Sequence, residues 1–432
     1  RATARRHSPS WSGQRILRDM RPKPRSILEM NPASKKSQIR RRLLRWYDKN
    51  KRSLPWRDTQ DPYAIWVIET MLQQTQVKTA LPYYLRFLTA FPTISSLDRA
   101  PLDRVLALWS GLGYYRRAQN LKKAARKIMR EHKGKLPQDY HALLTLPGVG
   151  PYTAGAVMSI AFNQPFPALD GNTRRVLARS FNTNREKDLQ EIDKRLVSPS
   201  RPGDFNQALM ELGATICHFR DPTCPACPLA STCIAKSSGI FPSQIGPARG
   251  RKVKNIEWPL ALIQNNGKIL LHRRDQNGLL EGLWEIPGGE RKARETVKAT
   301  LARHLKGLGQ RARPVFEIGE IRHSITYRRI RASLFFFPCY RISHLPNPDW
   351  RWVAISSLRR YPLSSLSLKA IKLYRTRGLN PRGRPKGRAA ASPPCGVMDR
   401  NSTGETPSVL YPRQAAGLPN NRAQTGLTKA SR

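Results

Sequence analysis

Two carboxylic acids stand out for their surroundings. Glu69 lies in Trp66-Val67-Ile68-Glu69-Thr70-Met71-Leu72-Gln73-Gln74-Thr75-Gln76-Val77, a stretch without Gly or Pro that reads as one helix. Apolar neighbours disfavour a charged carboxyl, so its pKa rises and it suits a general acid. The uncharged Gln and Thr that follow are unlike a solvated helix face, and amides that both donate and accept suit reading base edges. An ordinary packed helix with a paired Glu fits the stretch equally well. Asp170, in Ala168-Leu169-Asp170-Gly171-Asn172-Thr173-Arg174-Arg175, precedes a helix and reads as its N-cap. Capping would hold it ionised and fixed. Two carboxyls in unlike environments are what glycosidic bond cleavage uses.

A third constellation is sulfur. Cys217, Cys224, Cys227 and Cys233 fall in one short segment with Pro222, Pro225 and Pro228. Four thiolates close a tetrahedral site, and the spacing leaves zinc and an iron–sulfur cluster both open. Cys339 and Cys395 stand alone, so the six cysteines form no disulfide framework and point to a reducing compartment. His218 and Arg220 read as loop-orienting or phosphate-facing residues.

Two glycine turns complete the set. Leu146-Pro147-Gly148-Val149-Gly150-Pro151-Tyr152-Thr153-Ala154 joins two helices. Gly148 and Gly150 permit a tight turn whose backbone N–H groups, at the next helix N-terminus, can take a phosphate. A plain helix–helix turn is the alternative. Gly111-Leu112-Gly113-Tyr114-Tyr115-Arg116-Arg117-Ala118 places two aromatics and two arginines at a helix start. Tyr114 suits a wedge into a base stack, Arg116 and Arg117 suit phosphates, and Tyr115 stays open between wedge and core.

The elements that must position these groups follow a simple order. Residues 1–35 are rich in Arg, Ser and Pro and read as a disordered basic extension, with Met30 as the expected natural start. Residues 36–216 carry helical periodicity near 36–50, 62–77, 79–90, 101–109, 113–132, 138–146, 151–163, 171–181, 187–197 and 203–216, an all-α domain. Residues 217–234 are the cysteine loop, and 235–257 read as a linker. From 258 to 376 short β-like runs (Leu260–Ile263, Lys268–His272, Leu283–Ile286, Val315–Ile321, Arg328–Phe337) and helices near 293–306 and 366–376 predict a smaller α+β domain. Residues 377–432 read as a disordered basic tail.

The charge narrows the partner. The chain has 77 Lys and Arg against 29 Asp and Glu, a formal net charge of +48. Residues 43–376 keep 54 basic against 25 acidic residues, so the excess is not confined to the ends. Such a field favours a polyanion through counterion release. No apolar run approaches the ~20 residues a spanning helix needs, so no membrane role is expected.

Together these segments resemble adenine DNA glycosylase of the MutY type, within the helix-hairpin-helix, iron–sulfur glycosylase superfamily. The resemblance spans roughly residues 38–375. It is carried by Leu54-Pro55-Trp56-Arg57, Glu69 with Met71 to Val77, Gly111 to Tyr115, the Leu146 hairpin, Asp170-Gly171-Asn172, Phe205-Asn206-Gln207-Ala208 and the four cysteines. It implies a base-excision repair enzyme that flips adenine out of a duplex mispair with 8-oxoguanine or G and hydrolyses its N-glycosidic bond. Glu69 would protonate adenine N7. Asp170 would stabilise the sugar oxocarbenium, supported by Tyr152 and Asn172. Gln73 and Gln74 would read or fill the vacated stack with Tyr114 wedged beside the opposite base, while Arg57, Leu112, Leu146, Gly148, Gly150 and Gln207 would contact DNA. The four cysteines would hold a [4Fe-4S] cluster. The implied enzyme is a monomer, working in the nucleoid-associated cytoplasm of a bacterium or in the nucleus or mitochondrion of a eukaryote.

The related endonuclease III type carries a Lys nucleophile at the position of Tyr152 and lacks the Glu69–Gln76 pattern. Tyr152 therefore implies a monofunctional enzyme with at most weak lyase activity. The second domain resembles a Nudix fold through Leu283-Trp284-Glu285-Ile286-Pro287-Gly288-Gly289, yet His304, Gly307 and Leu308 stand where metal-binding glutamates belong. That argues against a nucleotide pyrophosphatase. In the family this domain recognises 8-oxoguanine through a Phe-Ser-His loop. Here the segment is His323-Ser324-Ile325-Thr326-Tyr327, with Ser324, Thr326 and Tyr327 as candidate readers. A non-catalytic DNA-binding protein is the reading from another class; the paired acids argue against it.

Overall fold

The computed structural model describes residues 32–239, 241, 253–274, 280–308, 316–337, 342 and 345–377. The predicted N-terminal extension before residue 32, Cys339, Cys395, Val315, residues 242–252 of the expected linker and the tail beyond 377 lie outside these residues.

Twelve helices come first among the described residues. They are α1 (Pro32–Asn50), α2 (Pro62–Leu72), α3 (Val77–Ala90), α4 (Ile94–Arg99), α5 (Leu102–Trp109), α6 (Arg116–Glu131), α7 (Tyr140–Leu144), α8 (Pro151–Ile160), α9 (Gly171–Phe181), α10 (Glu186–Leu196), α11 (Pro202–Thr215) and α12 (Ile234–Ser238). Their apolar faces gather into two cores. One is built by α2 to α8 around Trp66, Phe87, Trp109 and Leu121. The other joins α1 to α9, α10 and α11 through Leu43, Tyr47, Leu177, Phe205 and Leu212. The chain therefore leaves the second lobe after α1, builds the first, and returns at Asp170.

The predicted single helix over 62–77 is in fact two. α2 ends at Leu72, and Gln74 takes the left-handed region at φ 55°. Its carbonyls are capped from a distance. Arg117 Nη1 donates to the carbonyls of Thr70 (3.1 Å), Met71 (2.7 Å) and Gln73 (2.6 Å). Satisfying a helix C-terminus by a charged fork makes the turn at 73–76 stable without a glycine. α4 was also absent from the sequence pattern; Thr93 and Ser96 form a capping box that starts it after Pro92.

The second domain holds β1 (Lys254–Glu257), β2 (Leu260–Asn265), β3 (Lys268–Arg273), β4 (Trp284–Glu285), α13 (Val297–His304), β5 (Phe316–Ile325), β6 (Arg328–Phe337), β7 (Trp350–Ala354) and α14 (Ser365–Thr376). β6 pairs in parallel with β1 and then β2, and antiparallel with β5; β3 pairs antiparallel with β2, β4 and β7. Strand alternation sorts the two faces. Leu260 and Leu262 face a core with Leu366, Ala370 and Ile371 of α14, while Ala261 and Ile263 join Leu301 and Leu305 of α13. The domain is thus a mixed sheet between helices. The expected linker 235–257 is shorter than predicted, because α12 and β1 occupy its two ends. β7 was also not foreseen.

Candidate active site between the two helical lobes

Glu69 projects from α2 and is only 3% exposed. The Tyr152 hydroxyl, on the first turn of α8, donates to its Oε2. Burial pushes the Glu69 carboxyl up to about 7; the Tyr152 hydrogen bond opposes that shift and the charge of Asp170 adds to it. Glu69 is therefore substantially protonated near neutrality. Burial and the charges of Glu69 and Asp170 raise Tyr152 well above its ordinary value, so it stays a phenol and a donor.

Asp170 sits at the N-cap of α9. Its Oδ1 accepts from Thr173 N at 2.6 Å and its Oδ2 from Asn172 Nδ2 at 3.0 Å. Two donors and the helix N-terminus fix the orientation of this side chain. The two acids thus sit in unlike surroundings: Glu69 is buried, and Asp170 caps α9. The lobes meet closely here. A Cβ on Gly155 of α8 would strike the Pro167 carbonyl oxygen, and one on Gly213 of α11 would lie 2.5 Å from Asn172 Cβ. Only glycine lets these helices approach the Asp170 loop.

Behind the acid runs a polar link to the cysteines. Arg175 Nη2 donates to Asn172 Oδ1 (2.9 Å) and to Gly213 O (2.7 Å), and its Nε to Cys217 O (2.7 Å). Arg179 Nη1 reaches Cys217 Sγ at 3.3 Å and His218 O at 2.6 Å. Cys217, Cys224, Cys227 and Cys233 line one mainly apolar space with Val176, Leu212 and Leu229. Among the described residues no three metal-ligating side chains converge on a point.

The hairpin joins α7 to α8 as expected. Gly148 has φ 81°, and a Cβ there would sit 2.7 Å from Asn120 Cβ, so glycine is required twice over. Gly148 is exposed, whereas Leu146 is buried and its carbonyl accepts from Val149 N at 3.1 Å. Gln73 Nε2 donates to Thr153 Oγ1 of α8 at 3.0 Å, while Gln74 is exposed.

Both glutamines open into a cleft of about 450 Å³ between the domains. Tyr114 lines the same wall, and His323, Ser324, Ile325 and Thr326 line the other. Tyr114 is 49% exposed. Ser324 and Ile325 end β5, and Thr326 sits in the hairpin turn at φ 54°. Tyr327 lies next to the cleft lining without being part of it, with the Arg328 guanidinium 4.5 Å from its ring centre.

Four sequence expectations need correction. Leu112 is buried in the first core, because Gly111 (φ 101°) and Gly113 (φ 77°) turn it inward and Tyr114 outward. Arg57 is not free for phosphate: its side chain is 7% exposed and Nη2 pairs with Glu211 Oε2 at 2.7 Å. Arg117 is buried as the cap of α2. Gln207 is buried on α11 and lies outside the interdomain cleft lining. Tyr115, left open, belongs to the core and to the domain seam. Its hydroxyl accepts from Gly111 N and donates to Leu363 O at 3.0 Å, where Ser110 Oγ also donates at 2.7 Å.

Sequence reasoning missed Asp193 of α10. It is fully buried, neither oxygen has a hydrogen-bond partner, and burial followed by the charge of Asp170 pushes it up to about 7. At the Nudix-like box the described side chains are engaged within the fold. Glu295 is engaged by Arg303 at 2.8 Å, His304 packs against Gly289 and burial lowers it to about 4, and Leu308 is in the core.

The sequence is similar to proteins of known families. Residues 67–202 match the HhH-GPD superfamily base excision DNA repair protein family, and residues 260–373 match the NUDIX domain family. Adenine DNA glycosylase of Rattus norvegicus is 33% identical over 409 residues, covering 78% of each chain. The Homo sapiens enzyme is 34% identical, covering 77% of this chain and 73% of its own. The Arabidopsis thaliana enzyme is 38% identical over 300 residues, which span 58% of this chain and 47% of that one. The chain belongs to the adenine DNA glycosylase family of base-excision DNA repair enzymes.

Proposed function

We propose that this chain excises adenine paired with 8-oxoguanine or G in duplex DNA. The observation that carries the reading is Glu69: a buried carboxyl, poised near 7 and held by Tyr152, in the electrostatic reach of the capped Asp170. With adenine flipped into the site, Glu69 gives its proton to N7 and the base departs neutral. Asp170 stabilises the positive sugar left behind, and Asn172 holds Asp170 in place. Tyr152 is a neutral phenol and cannot form a Schiff base, which favours a monofunctional enzyme. Gln73 and Gln74 face the vacated stack, Tyr114 enters it as the wedge, and Ser324 and Thr326 face the base opposite. Tyr327 stands beside the cleft, next to Thr326.

Cys217, Cys224, Cys227 and Cys233 would hold a [4Fe-4S] cluster, whose part is structural. Arg175 and Arg179 then relate the cysteine loop to the Asp170 loop. The enzyme acts as a monomer where duplex DNA is found, in the nucleoid region of a bacterium or the nucleus or mitochondrion of a eukaryote.

The test is a glycosylase assay on duplexes with A opposite 8-oxoguanine, G or T, and on oxidised pyrimidines, followed by alkali. Adenine release from the first two, with strand scission only after alkali, is expected. Asp170→Asn should lower that release by about 10²–10⁴-fold, the range for a residue acting in the transition state, while mismatch binding persists. Scission at oxidised pyrimidines without alkali would move the chain to the endonuclease III type.

A further inference from the structure

The β5–β6 hairpin carries an unusual row of like charges. Its register sets Arg322 directly opposite Arg331 and Ser324 directly opposite Arg329. Directly opposed residues share a sheet face, so Arg322, Ser324, Arg329 and Arg331 all project the same way. All four are exposed, and the Arg322 and Arg331 side chains are 91% and 70% exposed. Like charges directly across an antiparallel pair destabilise it. Glu320, the next residue on that face, offsets this only in part, since both Arg322 and Arg331 share its one carboxylate. Among the described residues no carboxylate pairs with Arg329. Glu257 of β1, in register with Arg331, is already engaged by Arg291 at 2.5 Å. These side chains line a groove of about 940 Å³ that also takes in Ser324. The groove and the interdomain cleft share His323 and Ser324 in their walls, so they adjoin at the end of β5.

We propose that Arg322, Arg329 and Arg331 form a phosphodiester track for the strand whose base faces Ser324 and Thr326. This rests on the reading that those residues face the base opposite adenine. Strand geometry places Arg322/Arg331 about 7 Å beyond Ser324/Arg329. The first arginine would meet the backbone beside the read base, and the next pair would meet it further along the same strand. An exposed guanidinium row with too few carboxylates gains most from a polyanion, through bidentate phosphate contacts and counterion release. The β5–β6 ribbon would thus both read one base and hold its strand.

The experiment measures binding of the full chain to a duplex with 8-oxoguanine opposite a tetrahydrofuran abasic analogue, which cannot be excised, across a range of salt. Each lost phosphate contact lowers the slope of log K against log salt by about 0.9. Arg322→Ala, Arg329→Ala and Arg331→Ala should each lower it by about that amount, and Arg329→Lys should restore most of it. An unchanged slope in all three variants, or an equal fall in Arg195→Ala on α10, overturns the track in favour of a diffuse field. Loss of adenine release in the unaltered chain would instead defeat the proposed function, and the salt slopes would still be read independently.

Discussion

The Tyr152 hydroxyl donates to Oε2 of Glu69, joining α8 to α2 at the centre of the site. That bond favours the ionised carboxylate, against the burial that raises its pKa. Tyr152→Phe removes the opposing effect, so the Glu69 pKa should rise further above about 7. The alkaline limb of the single-turnover pH–rate profile should then move to higher pH. A limb that moves down would mean that the hydroxyl supports the protonated acid instead.

Glu69 also links activity to stability. A free Glu titrates near ~4.3, whereas burial raises it in the fold to about 7. Between these values the folded state binds more protons than the unfolded one, so stability falls as pH rises through this window and the loss is complete above it. Glu69→Gln should be close to the unaltered chain in denaturant resistance at pH 4.5. At pH 8 it should be more resistant, by up to roughly 3 kcal/mol from linkage, while adenine excision is lost and mismatch binding kept. Urea unfolding at the two pH values decides it; a gap that does not widen with pH places the buried proton elsewhere.

Arg117 holds the carbonyls that end α2 and also donates to Gly113 O at 3.1 Å, tying the glutamine turn to the Tyr114 loop. Arg117→Met leaves three of those carbonyls without this donor. At about 1–3 kcal/mol per buried unsatisfied group, the variant should lose several kcal/mol and melt well below the unaltered chain. Arg117→Lys keeps the charge without the planar fork and should fall between the two. Thermal unfolding ranks the three, and equal midpoints would show that the cap is dispensable.

The Leu363 carbonyl accepts from both Ser110 and Tyr115, so the second domain grips the Gly111–Tyr115 loop. The double variant Ser110→Ala with Tyr115→Phe removes both donors and little volume. Preference for A opposite 8-oxoguanine over A opposite G should shrink several-fold, while excision opposite G stays nearly constant. Competition assays measure the ratio; an unaltered ratio means that the loop stands without the second domain.

For the cysteine loop, metal analysis should find iron and inorganic sulfide in equal amounts, with broad visible absorption. Cys227→Ser should bleach the protein and expose the second lobe to proteolysis. Zinc without sulfide would replace the cluster with a single-ion site.

Much of this was present in local chemistry. The lone acid of α2, the capped Asp170, the two glycine turns and the cysteine spacing are all short-range patterns. Each needs only its neighbours to be recognised, because caps, turns and apolar periodicity are set within a few residues. What the sequence could not settle were choices made by distant partners. The helix through Glu69 reads as continuous to Val77, yet Arg117 ends it at Leu72 from another helix. Arg57 and Arg117 read as DNA contacts, yet Glu211 and the α2 carbonyls take their charges. Leu112 and Tyr114 both read as DNA-facing until two left-handed glycines send one inward and one out. The opposition of Arg322 to Arg331 exists only once β5 and β6 are in register. Residue types and short spacings thus determined which chemistry is present. Tertiary structure decided which charges are satisfied internally and which remain for a ligand, because that depends on partners far away in the chain.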